Sequence, residues 1–366
     1  MRGRAMALIV AVVVVGSVGF AAEEGTAPKI QVAILLDNSG SMNGLINQAK
    51  AQLWKFVNEF ATTKKDGKVP VLEVALYTYG NPPPKQIVAL TNDLDLVSER
   101  LFAVRISGGT EYCGQVIQTA VNELKWSDDK GDLKVIFIAG NEPFTQGPVN
   151  YADACKAAIS KGIIVNTIHC GSDAAGVSGK WKDGAALADG MYMCINQNKA
   201  VPAVAAPQDK EIAELSAKLN TTYVPYGAAG VEGSKRQSAQ DANAATLAPG
   251  VAAQRAVAKA NVQYRNAAWD LVDAIEEGTV KLEDVKKEDL PENMQKMTAE
   301  QRKAYVAEQT AERKRVQTRI NELNTARAKY VEAELKKLAD KTGEKRLDEA
   351  MIKALRLQAE KRNFKN

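Results

Sequence analysis

The chain has 366 residues, of which 45% are hydrophobic and 25% are charged. This length and composition exclude a disordered polymer and allow one full-sized hydrophobic core with a second, smaller unit. The formal net charge is only +4, and basic and acidic residues are interleaved along the C-terminal part. We therefore expect no nucleic acid among the partners, because nucleic-acid binding favours a patch of one sign.

The first 21 residues have the layout of a secretory signal peptide. Arg2 and Arg4 precede an apolar run over residues 5–20, and Gly19 and Ala21 place small residues three and one positions before a cut after residue 21. The alternative is an uncleaved membrane anchor, although the run falls short of the ~18 to 20 residues that span a bilayer. We predict a secreted or periplasmic protein that contacts a membrane only if this segment is retained.

Residues 28–230 are predicted to form one α/β domain. Several of its apolar runs are nearly continuous, which is typical of strands that are covered on both faces, and amphipathic stretches lie between them. The predicted strands are residues 30–36, 71–77, 86–90, 133–139, 163–169, 191–195 and 223–226. Alternating strands and helices predict a doubly wound, mostly parallel sheet with helices on both faces.

The remainder of the chain is predicted to be helical. Residues 231–250 are rich in Gly, Ala, Ser and Gln and indicate a linker. Residues 251–366 indicate a helical region, with a coiled coil as one arrangement of it. Thr298 and Gln301 have the spacing of a capping box, and an apolar stripe that includes Val316 and Ile320 follows until Arg327 interrupts it. A bundle that buries this stripe on itself is favoured over docking on the first domain or on another protein.

A cluster of oxygen-bearing side chains follows the first predicted strand directly. Asp37, Ser39 and Ser41 form an Asp-x-Ser-x-Ser motif at the carboxyl end of that strand, where open α/β sheets bind ligands. One carboxylate and two hydroxyls are hard donors, which suit Mg²⁺, Mn²⁺ or Ca²⁺ better than zinc or copper. The simpler explanation is that these side chains only satisfy turn and helix-cap hydrogen bonds.

A second loop has the same character, because Gly108 and Gly109 precede the hydroxyl of Thr110 and then a helix. With these two loops the chain resembles the von Willebrand factor type A domain, the fold shared with integrin inserted domains, over about residues 28–200, with residue 226 as the alternative end. The resemblance implies a metal-ion-dependent adhesion site, or MIDAS, built from the Asp-x-Ser-x-Ser motif and Thr110. It also implies a divalent cation, Mg²⁺ before Mn²⁺ or Ca²⁺, that captures a carboxylate of a partner protein.

The third loop of the site departs from the family pattern. Gly140 stands where the family usually has an aspartate, and Asn141 or Glu142 is expected to reach the same metal shell. Loss of one anion should weaken the capture of a divalent cation. Glu111, next to Thr110, is interpreted as an acid favoured by a helix dipole, with a charge on the rim or in the outer shell as alternatives.

The function predicted from these residues is protein binding by an exported module, without catalysis. A metal-free envelope scaffold is the main alternative. A metal-assisted hydrolase is the other, although the chain lacks both a Gly-x-Ser-x-Gly elbow and a Gly-x-x-x-x-Gly-Lys phosphate loop.

The chain has four cysteines, Cys113, Cys155, Cys170 and Cys194. Export permits disulfides, and four cysteines allow three pairings. A bond between Cys170 and Cys194 is preferred, a bond between Cys113 and Cys170 is the second choice, and free core thiols are the alternative. A structural zinc site lacks support, because His169 is the single histidine and no C-x-x-C occurs.

Overall fold

The computed structural model describes residues 27–60, 62–196, 198, 204–339 and 347–365, so the predicted signal peptide lies outside the described residues. The described chain contains a six-stranded sheet in the order β3-β2-β1-β4-β5-β6, in which β3 is antiparallel to β2 and the other neighbours are parallel. The strands are Lys29–Leu36 (β1), Val71–Thr78 (β2), Lys85–Thr91 (β3), Leu133–Gly140 (β4), Ile163–Cys170 (β5) and Tyr192–Ile195 (β6).

Helices cover both faces of this sheet, which confirms the doubly wound α/β prediction. The pleat sends Val32 and Leu36 of β1 into one core and Ala33 and Leu35 into the other. The helices of this part of the chain are Asn43–Asn58 (α1), Leu94–Ala103 (α2), Cys113–Glu123 (α3), Tyr151–Ser160 (α4), Asp173–Ser178 (α5) and Trp181–Ala186 (α6). The core under α1 and α2 lies on one face of the sheet, and the core under α3, α4 and α6 lies on the other.

The prediction of a seventh strand at residues 223–226 is wrong, because this segment is not part of the sheet. Pro225 forms only an isolated bridge with Asp270, and a proline has no N–H to extend a ladder. The backbone N–H of Val224 donates to Asp270 Oδ1 at 2.6 Å, and that of Tyr226 donates to the carbonyl of Trp269 at 2.9 Å. The segment therefore joins the helical region and does not extend the sheet.

The predicted linker over residues 231–250 is also wrong, because most of it is helix. The helices of the second half are Asp209–Asn220 (α7), Gly230–Leu247 (α8), Pro249–Lys259 (α9), Leu271–Glu276 (α10), Glu292–Gln295 (α11), Ala299–Ala339 (α12) and Leu347–Lys361 (α13). Small and amide side chains let α8 pack closely. The ring of Trp269 lies 2.3 Å from where a Cβ on Gly233 would be, and buried Gln240 accepts a hydrogen bond from Ser98 on α2 at 2.8 Å.

The long helix α12 packs within the helical region, as the bundle interpretation predicts. Its capping box forms, since the Thr298 N–H donates to Gln301 Oε1 at 2.8 Å and the Gln301 N–H donates to Thr298 Oγ1 at 3.3 Å. Val316 and Ile320 are buried against residues of α7 and α9. Arg327, which interrupts the stripe, is buried in an ion pair with Asp209 at 2.6 Å.

The helical region also packs against the sheet domain. Docking on the first domain, one of the alternatives to a self-contained bundle, is therefore observed as well. Helices α9 and α13 pack on α1, and α8 packs on α2. At this junction Arg255 is 1% exposed and forms ion pairs with Asp95 at 2.6 Å and Asp241 at 2.8 Å. Its guanidinium also lies 4.3 Å from the ring centre of Trp54. No helix in the described ranges has both the length and the apolar content needed to cross a membrane.

The predicted disulfides are not formed, and all four cysteines are free thiols. Cys170 lies opposite Ile195 and Cys194 lies opposite His169 in the pairing of β5 with β6. Because side chains alternate along a strand, the thiols of Cys170 and Cys194 leave opposite faces of the sheet. Cys113 and Cys155 pack in the core on the other side of the sheet from Cys170.

Candidate metal centre

The predicted site lies where the winding of the sheet reverses. β1 and β4 are neighbours in the sheet. The chain leaves β1 towards β2 on one side and leaves β4 towards β5 on the other, so the two connections diverge. Such a switch point leaves a crevice at the carboxyl ends of the strands. Asp37 follows β1 there, and its N–H donates to the carbonyl of Ala139 on β4 at 3.0 Å.

Asp37 is fully buried, and one of its carboxylate oxygens lacks a partner. Its Oδ1 accepts a hydrogen bond from the Ser39 N–H at 2.7 Å, whereas its Oδ2 has no hydrogen-bond partner among the described residues. Burial raises the pKa of Asp37, the Ser39 hydrogen bonds lower it, and the nearby charges of Glu111 and Glu142 add to the rise, so that this pKa is about 6. A buried, unpaired carboxylate oxygen is costly unless a cation or a proton satisfies it.

The two serine hydroxyls of the motif lie next to each other and next to the third loop. Ser39 Oγ is 3.5 Å from Ser41 Oγ, and Ser41 Oγ is in turn 3.5 Å from Asn141 Oδ1. Ser39 is buried and Ser41 is exposed, so the group runs from the interior to the surface. The structure thus brings together Asp37, both serines and Asn141.

The loop that carries Thr110 is tied to the motif by Asn38. The side chain of Asn38 accepts from the Gly80 N–H at 2.9 Å and donates to the carbonyl of Arg105 at 2.9 Å, while its backbone carbonyl accepts from the Ser107 N–H at 2.7 Å. The Thr110 N–H donates to the carbonyl of Gly80 at 3.1 Å. Sequence reasoning missed this role of Asn38, because only the fold brings these loops to it.

Gly108 allows the close approach of this loop to the neighbouring one. Its φ is +92°, and a Cβ at this position would lie 2.0 Å from the carbonyl oxygen of Gly80. No other residue type fits this conformation and this space.

Two further carboxylates lie close to Asp37. Glu111 is 5% exposed, and a hydrogen bond with the Ser39 side chain partly offsets the rise in the Glu111 pKa that burial and Glu142 cause. Its contact with Ser39 favours the rim or outer-shell alternative for Glu111 over the helix-dipole interpretation. The signal in the sequence was its place directly after the Gly-Gly-Thr turn. Glu142 is half-buried, and its Oε2 accepts from Gln146 Nε2 at 3.2 Å.

The place of the absent third-loop aspartate is filled by a tyrosine hydroxyl. A Cβ on Gly140 would lie 2.5 Å from Tyr79 Oη and 3.1 Å from the Cβ of Asp37. The buried Tyr79 hydroxyl donates to the carbonyl of Ala139 at 2.8 Å. An aspartate at residue 140 would therefore displace this hydroxyl.

The donor set fits a hard divalent cation. No three His, Cys, Asp or Glu side chains within the described parts of the chain are placed to hold a metal together, so an ion here needs hydroxyl ligands as well as Asp37. Hydroxyl, amide and carboxylate oxygens are ligands of Mg²⁺ and Ca²⁺. The unpartnered Asp37 Oδ2 provides the negative charge for such an ion.

Fold and site together define a doubly wound α/β domain with an oxygen-rich crevice at its central switch point. The sequence model of the von Willebrand factor type A domain matches residues 31–177, so the chain contains a type A domain. No curated protein matches the chain.

Several solved structures resemble this domain. BatB of Bacteroides thetaiotaomicron, a conserved hypothetical protein, is 17% identical with a TM-score of 0.37, and the match covers 46% of this chain and 90% of BatB. The SpRpn10 VWA domain is 18% identical with a TM-score of 0.37, covering 47% and 90%. Proximal thread matrix protein 1 of the mussel byssus, solved with a zinc-occupied MIDAS motif, is 15% identical with a TM-score of 0.36, covering 47% and 43%. At such identities and scores, nothing about ligands or partners carries over to this chain.

Proposed function

We propose that the type A domain is a protein-binding module that holds a divalent cation and captures a carboxylate of a partner protein through it. The cation ligands are Asp37, Ser39, Ser41 and Thr110, with Asn141 or Glu142 in place of the absent aspartate. The observation that carries this proposal is the buried Asp37 Oδ2, which lacks a hydrogen-bond partner among the described residues.

The chemistry of the ligands explains why a partner carboxylate would bind. Neutral hydroxyls and one carboxylate leave much of the charge of a divalent ion uncompensated, so the ion attracts a further anionic oxygen. Exposed Ser41 marks the side from which such an oxygen arrives. Mg²⁺ is the first candidate because it is commonly held by one or two carboxylates and keeps positions for water or an incoming ligand.

Calorimetric titration of the purified protein with MgCl₂ and MnCl₂ tests the cation. We expect saturable binding that is at least roughly tenfold weaker in Asp37→Asn, because a charged ligand is lost. The matched control is Asp189→Asn. Asp189 is exposed and precedes β6, so it lies at the amino ends of the parallel strands, away from the crevice, and its positive φ of 53° suits asparagine. If wild type gives no heat of binding with either salt, the alternative of a metal-free scaffold is favoured instead.

We propose binding without catalysis as the role of this site. The rival proposal, a metal-assisted hydrolase, requires turnover of phosphate or acyl esters. Turnover that disappears in Asp37→Asn and persists in Asp189→Asn would replace the binding proposal.

We also propose that the protein is exported, on the basis of residues 1–21. Its mature form should then begin at Ala22. Mass spectrometry of the protein from the expressing cells measures this terminus, and retention of Met1 in a cytosolic fraction would contradict export.

A further inference from the structure

A cavity of about 510 Å³ opens beside the candidate metal centre. Asn38, which lies between two predicted ligands, forms part of its wall, and Ser107 contributes from the loop that carries Thr110. The turn between β2 and β3 and the C-terminal end of α2 close the other sides. A ligand at the metal centre would therefore have this cavity as its immediate neighbour.

The cavity is positively charged. Lys85, Arg100 and Arg105 line it, and its lining includes no Asp or Glu. None of these three cations forms an ion pair with any residue that the structure describes, although Arg105 donates to the carbonyl of Phe102 at 3.2 Å. Lys50 lies near Arg105, and the charge of Arg105 adds to burial in lowering the pKa of Lys50. Unpaired cations around a concave surface attract an anionic group.

We propose that this cavity is a second anchoring point for an acidic peptide segment of the partner. One carboxylate of the segment binds the cation at Asp37, and a second acidic side chain enters the cavity and pairs with Arg100 or Arg105. This inference rests on the proposed function and names the chemistry of the partner.

The surroundings favour an acidic peptide over a nucleic acid. Asp37 directly precedes the cavity residue Asn38, and the charges of Glu111 and Glu142 act on Asp37. This group of carboxylates repels a continuous chain of phosphates that passes from the cavity to the metal centre, whereas separate carboxylates can avoid it. The lining residues include no aromatic ring on which a base could stack. The combination of a cation and a basic cavity at one edge therefore selects two spaced carboxylates.

The test measures fluorescence anisotropy of a labelled hexaglutamate peptide with the full chain, in MgCl₂ and in EDTA. We expect binding in MgCl₂ that weakens about tenfold in Arg100→Gln/Arg105→Gln, while Mg²⁺ affinity stays within about twofold of wild type. The matched control is Lys156→Gln/Lys182→Gln, which removes two exposed charges from α4 and α6. Labelled hexaglutamine and a thymidine oligonucleotide of equal length are the comparison probes.

The outcomes separate the cavity from the metal centre. Peptide binding that EDTA and Asp37→Asn abolish, but that Arg100→Gln/Arg105→Gln leaves unchanged, would overturn the inference and leave the proposed function standing. Binding that EDTA does not alter would contradict both the two-point attachment and the proposed function. Equal binding of hexaglutamine, tighter binding of the oligonucleotide, or no binding of hexaglutamate would likewise overturn the acidic-peptide assignment.

Discussion

At the scale of single residues, Asp37 sets the energetics of the site. Its carboxylate is buried, and only one of the two oxygens accepts a hydrogen bond from a described residue. The carboxylates of Glu111 and Glu142 lie nearby. Ionisation of Asp37 therefore costs free energy unless a cation is present. The burial that makes the ionised Asp37 carboxylate unfavourable in the metal-free protein also favours its binding to a metal ion.

This cost predicts an unusual dependence of stability on pH. The folded-state pKa of Asp37, about 6, lies above its ordinary value of 3.8, so its contribution to stability is fully present below pH 4 and is lost as the pH rises through 6. In EDTA at pH 8, Asp37→Asn should be more stable than wild type by about 1 to 3 kcal/mol, and the difference should vanish near pH 4. MgCl₂ should stabilise wild type more than Asp37→Asn, because the variant binds the ion more weakly. Urea denaturation at both pH values measures this, and equal stability at pH 8 would contradict the account.

The contact between Gly140 and Tyr79 predicts a coupled pair of mutations. Gly140→Ala places a Cβ against the Tyr79 hydroxyl and should cost about 1 to 3 kcal/mol of unfolding free energy. Tyr79→Phe removes that hydroxyl and its hydrogen bond to Ala139, at a cost of about 1 kcal/mol. The double variant should lose less than the sum, because the second change relieves the clash. Additive losses in urea denaturation would show that the hydroxyl does not fill this space.

At the scale of elements, the start of α12 depends on the capping box of Thr298 and Gln301. Thr298→Ala removes one acceptor for the end of the helix and should cost about 1 kcal/mol. Thr318→Ala, at an exposed position inside the same helix, is the matched control and should be neutral or slightly stabilising, because alanine favours helix. Thermal denaturation followed by circular dichroism measures both, and an equal loss in the two variants would refute the cap.

Strands were more predictable than the helices of the second half. The runs of β1, β4 and β5 are apolar enough for burial on both faces to be visible in the sequence. Helix α8 was missed because it is buried through Gly233, Gln237 and Gln240, which give no apolar periodicity. The segment 223–226 has the composition of a strand, but its hydrogen bonds go to residues 269–271, a partner that no local pattern identifies.

The candidate site was predictable in part for the same physical reason. Asp37, Ser39 and Ser41 lie close together along the chain, so one loop brings them to one place. The roles of Asn38, Glu111 and Tyr79 depend on contacts between loops that are far apart in sequence. The free thiols depend on strand register, because a shift of one residue changes the face on which Cys194 lies.

At the scale of the whole molecule, the helical region and the sheet domain share a buried ionic junction. Arg255 on α9 contacts Asp95 of α2 and Asp241 of α8 and stacks on Trp54 of α1. Because each of these buried charges is offset by its partner, removal of one of them leaves an uncompensated charge in the interior.

The junction predicts that Arg255→Met destabilises the whole protein by about 3 to 5 kcal/mol, because Asp95 loses its buried counter-charge. Arg315→Met is the matched control, since Arg315 forms an exposed pair with Glu312 on the surface of α12, and its loss should be negligible. Urea denaturation of both variants measures the difference. A small effect in Arg255→Met would show that the two parts are not coupled through this residue.

The most direct measurement of the central claim is a crystal structure of the full chain grown with MnCl₂, with anomalous scattering collected at the manganese edge. The account predicts one anomalous peak within coordination distance of Asp37 Oδ2 and the hydroxyls of Ser39 and Ser41, and no peak there in Asp37→Asn crystals. A wild-type structure with no peak in this crevice, and with Asp37 Oδ2 bonded to a protein group, would contradict it.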